Sequence, residues 1–136
     1  MQILVIDGQG GRIGREVIER IRSEQLPCEI TAVGTNSVAT SSMLKGGADQ
    51  AATGENAVRV NARFADIIIG PIAIVIADGL LGEITPEMAV AVGQSHAKKL
   101  LIPAGHCSNL VVGAVDIPVK SLLNSVIDQL KSMLTK

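Results

Sequence analysis

ILVIDGQGGRIGREVIERI, residues 3–21, places an apolar run, a cluster of glycines and an amphipathic segment one after another. The run from Ile3 to Asp7 predicts a buried strand. Apolar residues then recur at helical spacing between charged ones, at Ile13, Val17, Ile18 and Ile21. The glycines between the two segments provide the sharp turn that a short connection requires. This stretch therefore predicts a strand, a tight loop and an amphipathic helix.

The same alternation continues along the chain. Further strands are predicted at 29–33, 49–53, 65–70 and 99–103, and further helices at 38–45, at 85–95 and along the apolar stripe of residues 122–134. The run 72–77 fits a buried helix or another strand, with the helix favoured, and 110–113 is a possible sixth strand. Alternating strands and helices predict one α/β domain over 1–136. Its architecture is Rossmann-like and doubly wound, a mostly parallel sheet of five or six strands with helices on both faces.

Composition narrows the class of ligand. The 136 residues carry a net charge of -1 and a single aromatic residue, Phe64. The chain therefore has neither the excess of positive charge that attracts a nucleic acid nor aromatic side chains on which its bases could stack. No apolar run is long enough to span a membrane. The chain enters a strand at once, without a secretory signal, and its two cysteines lack metal-ligand spacing, which predicts a cytoplasmic protein without a metal site. The 47% of hydrophobic residues predicts a homo-oligomer, with a dimer favoured.

The glycine loop lies where a Rossmann fold binds phosphate, between the first strand and the first helix. Its residues are Gly8, Gln9, Gly10, Gly11, Arg12, Ile13 and Gly14. Glycines let the backbone approach a pyrophosphate, and the N–H groups at the helix start attract an anion. A tight turn that needs glycine for packing alone is the alternative. If the loop binds phosphate, we expect a β-carbon at Gly11 to obstruct the ligand.

The loop after the second strand bears on the identity of the cofactor. Proteins that bind NAD usually have an acid there, about twenty residues beyond the last glycine, to bond the ribose hydroxyls. This chain has Thr35, Asn36 and Ser37 instead. Their polar groups, with Lys45, slightly favour NADP over NAD as the ligand. Ser37 as a helix cap, with Asn36 in a turn, is an equally good interpretation.

Several residues at the predicted rim could carry chemistry. Asp7 and Glu55 are candidate general bases. Cys107 next to His106 is a poor nucleophile and base pair, because adjacent residues on an extended chain point to opposite sides. Glu83 is assigned to a loop before a helix.

Two resemblances accompany these motifs. GQGGRIGREVI, residues 8–18, is similar to the cofactor loop of dihydrodipicolinate reductases, which implies that Arg12 lies beside a pyrophosphate or ribose; the catalytic signature and second domain of those enzymes are absent. Over nearly the whole length, GTNSVAT (34–40), TGEN (53–56), GPI (70–72), GEITPEMA (82–89) and LIP (101–103) resemble a small bacterial family of unknown function. That resemblance implies a Rossmann-like fold and brings no activity.

Three functions remain open at this point. The favoured one is binding of a nucleotide or dinucleotide, with NADP slightly preferred, by a minimal oxidoreductase or a cofactor sensor. The second is a small transferase or hydrolase that acts on a phosphorylated or nucleoside substrate through Glu55, Asn56 and the loop at Thr35. The third is an oligomeric scaffold in which the glycine loop is purely structural.

Overall fold

The computed structural model describes residues 1–104 and 108–135. Five strands alternate with helices: β1 (Gln2–Asp7), β2 (Glu29–Gly34), β3 (Gln50–Thr53), β4 (Ile67–Pro71) and β5 (Lys98–Ile102). The helices are α1 (Arg12–Ser23), α2 (Ser37–Lys45), α3 (Glu55–Asn61), α4 (Pro86–Gln94) and α5 (Val119–Leu134). One turn of 3₁₀ helix, Ile72–Val75, follows β4 directly. None of the described helices combines the length and the apolar character that crossing a membrane requires.

The sheet is parallel throughout and has the strand order β3-β2-β1-β4-β5. The chain runs outward from β1 to β3, returns to the middle at β4 and then runs outward again. In such a sheet the crevice for a ligand lies outside the carboxyl ends of the strands where the order reverses, here β1 and β4. The predicted Rossmann-like fold class is confirmed.

Apolar residues fill both faces of the sheet. Ile3 and Val5 of β1 point to the face covered by α1 and α5, and Leu4 and Ile6 point to the face covered by α3 and α4. All four side chains are buried, as expected for a parallel strand with helices on both sides. This rigid central strand fixes the position of the glycine loop that follows it.

Three sequence predictions need correction. The favoured helix at 72–77 is one 3₁₀ turn that ends at Val75, and helix α3 lies between residues 53 and 65, where no element was predicted from the sequence. The sixth strand at 110–113 is wrong: Val112 and Gly113 lie in a turn closed by the Ala114 N–H on the Val111 carbonyl. Gly113 has φ +89°, which interrupts an extended chain. Within the described residues the sheet has five strands.

Candidate functional site

The glycine loop follows β1 at the point where the strand order reverses. A cleft of about 750 Å³ lies beside it, with Pro71 at the end of β4, Leu80 from the loop that follows and Val119 from α5 on its other sides. A second hollow, of about 590 Å³, opens between α1 and α2 and is lined by Gly10, Arg15, three serines and Lys45. Because Gly10 lines both, the tip of the loop separates a partly apolar cleft from a hydroxyl-rich, basic hollow.

The loop turns back on itself within three residues. Gln9 and Gly11 both have left-handed backbone, with φ 50° and 71°, and the Gly11 N–H donates to the Gly8 carbonyl at 2.9 Å. A β-carbon on Gly8 would lie 2.6 Å from Thr35 Oγ1, and one on Gly14 would lie 2.5 Å from Met43 Sδ. A side chain at either glycine would therefore force a neighbouring side chain, such as Thr35 or Met43, to shift.

Gly10 and Gly11 differ in what surrounds them. A β-carbon on Gly11 would lie 2.7 Å from the Cα atom of Ala39 in α2, whereas one on Gly10 would meet nothing within 4 Å. The expectation that a side chain at Gly11 would obstruct a ligand is therefore corrected, because it would first strike helix α2. Gly10 is the position that faces open space.

Asp7 braces the loop from the end of β1. Its buried carboxylate accepts the Gly8 N–H on one oxygen and the Gly14 N–H on the other, each at 2.8 Å. Burial raises the pKa of Asp7, and these backbone hydrogen bonds oppose that rise only in part. Asp7 was a candidate general base, but both of its carboxyl oxygens accept hydrogen bonds from the backbone of the glycine loop.

Glu83, from the loop before α4, is the residue that the sequence interpretation missed. Its Oε1 atom accepts the Gln9 N–H at 2.8 Å, the Thr35 hydroxyl at 2.6 Å and the Asn36 amide at 2.8 Å. Burial alone would raise the pKa of Glu83, but the hydrogen bonds from Thr35, Gln9 and Asn36 outweigh it and lower the pKa. The one feature of the sequence that could have pointed to Glu83 is its place in the GEITPEMA motif, which follows β4, a neighbour of β1 in the sheet.

The loop after β2 is organised by Asn36. The Asn36 side chain accepts the Ala39 N–H at 2.9 Å and donates to the Gln9 carbonyl at 3.0 Å. Asn36 is therefore the cap of α2, and the prediction that Ser37 caps it is wrong, because α2 already begins at Ser37. Ser37 lines the basic hollow together with Lys45.

Two amide groups of the loop remain for a ligand. Within residues 1–104 and 108–135, the N–H groups of Gly10 and Arg12 have no protein acceptor, whereas those of Gly8, Gln9, Gly11 and Gly14 do, and the Ile13 N–H interacts with the Asp7 carboxylate. The Arg12 side chain is 88% exposed and pairs with Glu16 at 3.3 Å. An anion at the tip would thus meet two N–H groups and a nearby guanidinium.

The other chemical candidates lie apart from this tip or outside the described residues. Glu55, at the start of α3, accepts the Thr85 hydroxyl at 2.5 Å and so joins the first turn of α3 to the cap of α4. His106 and Cys107 lie outside the described residues. In the described part of the chain, no three metal-ligating side chains come together.

Comparison with known proteins identifies the family. The chain belongs to DUF3842, a domain of unknown function, whose family model matches residues 2–135. No curated protein sequence matches it. Among solved structures it is similar to a dodecameric FMN-dependent UbiX-like decarboxylase from Escherichia coli O157:H7, with 18% identity, a TM-score of 0.47 and coverage of 96% of this chain and 95% of that one. A likeness at this level says nothing about the ligand or the assembly of this chain.

Proposed function

We propose that this DUF3842 protein binds a nucleotide-type ligand and holds its phosphate at the tip of the glycine loop. The observation that carries the proposal is the pair of N–H groups on Gly10 and Arg12, which have no acceptor in the described part of the chain. They stand at the start of α1, where the helix dipole also favours an anion. The open space around Gly10 leaves room for the phosphate.

The residues around the tip of the glycine loop suit a phosphate better than the residues deeper in the loop do. The inner amides are already occupied by the carboxyl groups of Asp7 and Glu83, and the charge of Glu83 would repel an anion placed among them. Toward the tip, Arg12, Arg15 and Lys45 supply positive charge. A ligand that crosses the tip would reach from the cleft to the basic hollow, as the two halves of a dinucleotide require.

A ligand screen tests the proposal. Nucleoside mono- and diphosphates, NAD(H), NADP(H), flavin nucleotides and sugar phosphates are added to the protein and the melting temperature is recorded. A ligand at a hundred times its Kd should add about 2.7 kcal/mol of apparent stability. A screen in which no phosphate-bearing compound moves the melting curve at millimolar concentration would leave the glycine loop a purely structural turn.

Gly10→Val is the variant that tests the place of binding. We expect at least a tenfold weaker affinity for any nucleotide found, because the new side chain fills the space that the phosphate would use. Isothermal titration measures the affinity, and circular dichroism checks the fold. The matched control is Gly93→Val in α4, where a β-carbon also meets nothing within 4 Å and the loop is not involved. Unchanged affinity in a folded Gly10→Val protein would place the ligand elsewhere.

We propose also that the protein is a homo-oligomer, with a dimer as the first expectation. Several large apolar side chains are exposed to solvent: Leu81 is 98% exposed, Leu110 79% and Val112 96%. A monomer would leave these side chains in water, whereas contact with a second copy would bury apolar surface. Sedimentation velocity at micromolar concentration should show a species larger than 14.1 kDa, and a monomer alone would contradict the expectation.

A further inference from the structure

A carboxylate stands at the end of β2 although the sequence after β2 has none. In dinucleotide-binding folds an acid at this place bonds the hydroxyls of the ribose. Here the chain runs from Gly34 through Thr35 and Asn36 without an acid. Glu83 reaches the same place from the loop before α4, and its hydrogen bonds to Thr35 and Asn36 hold it against the two residues that follow β2.

The bonding pattern leaves half of this carboxylate for a ligand. All three donors that reach Glu83 bond the same oxygen, Oε1. Among the described residues, no donor reaches Oε2. A carboxylate held firmly through one oxygen presents the other as a positioned acceptor, and its contact with the Gln9 N–H places it beside the glycine loop.

The loop that carries Glu83 is itself held in an uncommon shape. Asp78, Leu80 and Leu81 all have left-handed backbone, with φ between 54° and 64°. Leu80 packs so closely that a β-carbon on Gly8 would lie 2.8 Å from its Cδ1 atom. Residues other than glycine keep such a backbone only where their surroundings impose it. The surrounding structure therefore fixes the backbone that carries Glu83, and three hydrogen bonds hold its side chain.

We propose that Glu83 is the specificity-determining residue of this site, which accepts hydrogen bonds from a ribose with a free 2′-hydroxyl and disfavours a 2′-deoxyribose or a 2′-phosphate. This inference rests on the proposed nucleotide binding. It reverses the slight preference for NADP that the sequence suggested, because that preference rested on the missing acid.

The charge of Glu83 agrees with this role. The hydrogen bonds that lower its pKa keep it ionised at neutral pH, and an ionised carboxylate is a strong acceptor for hydroxyl groups. The same charge repels a phosphate on the 2′-oxygen. Arg15 and Lys45, which attract phosphate, line the neighbouring hollow and not the place that Glu83 occupies.

The test compares ribonucleotides with their 2′-deoxy counterparts. ADP, GDP, CDP and UDP, each paired with its deoxy form, are titrated into the wild-type protein and into Glu83→Gln. We expect the wild type to bind the best ribonucleotide at least tenfold more tightly than its deoxy partner, and Glu83→Gln to reduce that ratio to about twofold or less. NADH should likewise bind the wild type more tightly than NADPH, with the difference lost in the variant.

Glu87→Gln is the matched control, because Glu87 is an exposed acid in the first turn of α4 that contacts neither the loop after β1 nor that after β2 in the described structure. It should keep the wild-type ratios. Glutamine at position 83 keeps an oxygen that the three donors can bond. Glu83→Asp is a second variant. It shortens the side chain by one methylene and should also lose the preference for ribose.

The outcomes separate the two proposals. If diphosphates bind but ribose and deoxyribose forms bind equally, or if Glu83→Gln keeps the preference, the role of Glu83 is wrong and the phosphate site stands. If no nucleotide binds at millimolar concentration, the proposed function fails and the role of Glu83 fails with it.

Discussion

Gly11→Val is expected to abolish folding or to lower Tm by about 10 °C or more. The native backbone at Gly11 has φ +71°, which a β-branched residue adopts only under strain. Its β-carbon would also lie 2.7 Å and 2.8 Å from the Cα and carbonyl oxygen of Ala39, and these backbone atoms of α2 cannot turn aside. Strain and overlap together cost about 3 kcal/mol or more, which for a chain of this length corresponds to that shift in Tm.

Thermal unfolding followed by far-UV circular dichroism measures the effect. Gly10→Val is the matched control: it makes the same substitution one residue earlier, where the β-carbon meets open space, and should melt within about 3 °C of the wild type. A Gly11→Val protein that melts as high as Gly10→Val would show that α1 and α2 can separate at this point without cost.

This pair of glycines shows what the sequence could and could not predict. The strand, loop and helix around residues 3–21 follow from local apolar periodicity, and the structure has them as β1, the glycine loop and α1. Which glycine faces a ligand and which faces α2 depends on Ala39, 28 residues further along the chain, and no local pattern contains that contact.

The site residue that was missed has a similar explanation. Thr35 and Asn36 were expected at the rim because they follow a strand directly, whereas Glu83 is separated from β4 by the 3₁₀ turn and a loop. Its approach to Gln9 spans 74 residues of sequence. The false strand at 110–113 arose in the opposite way: the apolar run there is real, but Leu110 and Val112 are exposed, and local periodicity cannot show whether such a run finds a sheet edge.

Asp7→Ala is the second substitution with a large expected effect, a loss of about 3 kcal/mol in the free energy of unfolding. It removes the acceptor of two N–H groups, on Gly8 and on Gly14, at the buried end of β1. Each buried donor left without a partner costs about 1 to 3 kcal/mol. Urea unfolding measures the loss, and wild-type stability in a folded Asp7→Ala protein would mean that water or another group replaces the carboxylate.

The pH dependence of Asp7→Asn separates the carboxylate's charge from its shape. Burial raises the pKa of Asp7 in the folded protein above the ordinary value of 3.8, so its protonated form is the one that folding favours. The stability that this group contributes is full below its unfolded pKa and is lost as pH rises through the folded pKa. Asparagine does not titrate, so the free energy of unfolding of the wild type minus that of Asp7→Asn should fall as the pH rises above the ordinary value of 3.8 and through the raised pKa of Asp7. If that difference instead grows with pH, the bonds from Gly8 and Gly14 outweigh burial, and Asp7 acts as a stabilised anion that competes with a ligand phosphate for the loop.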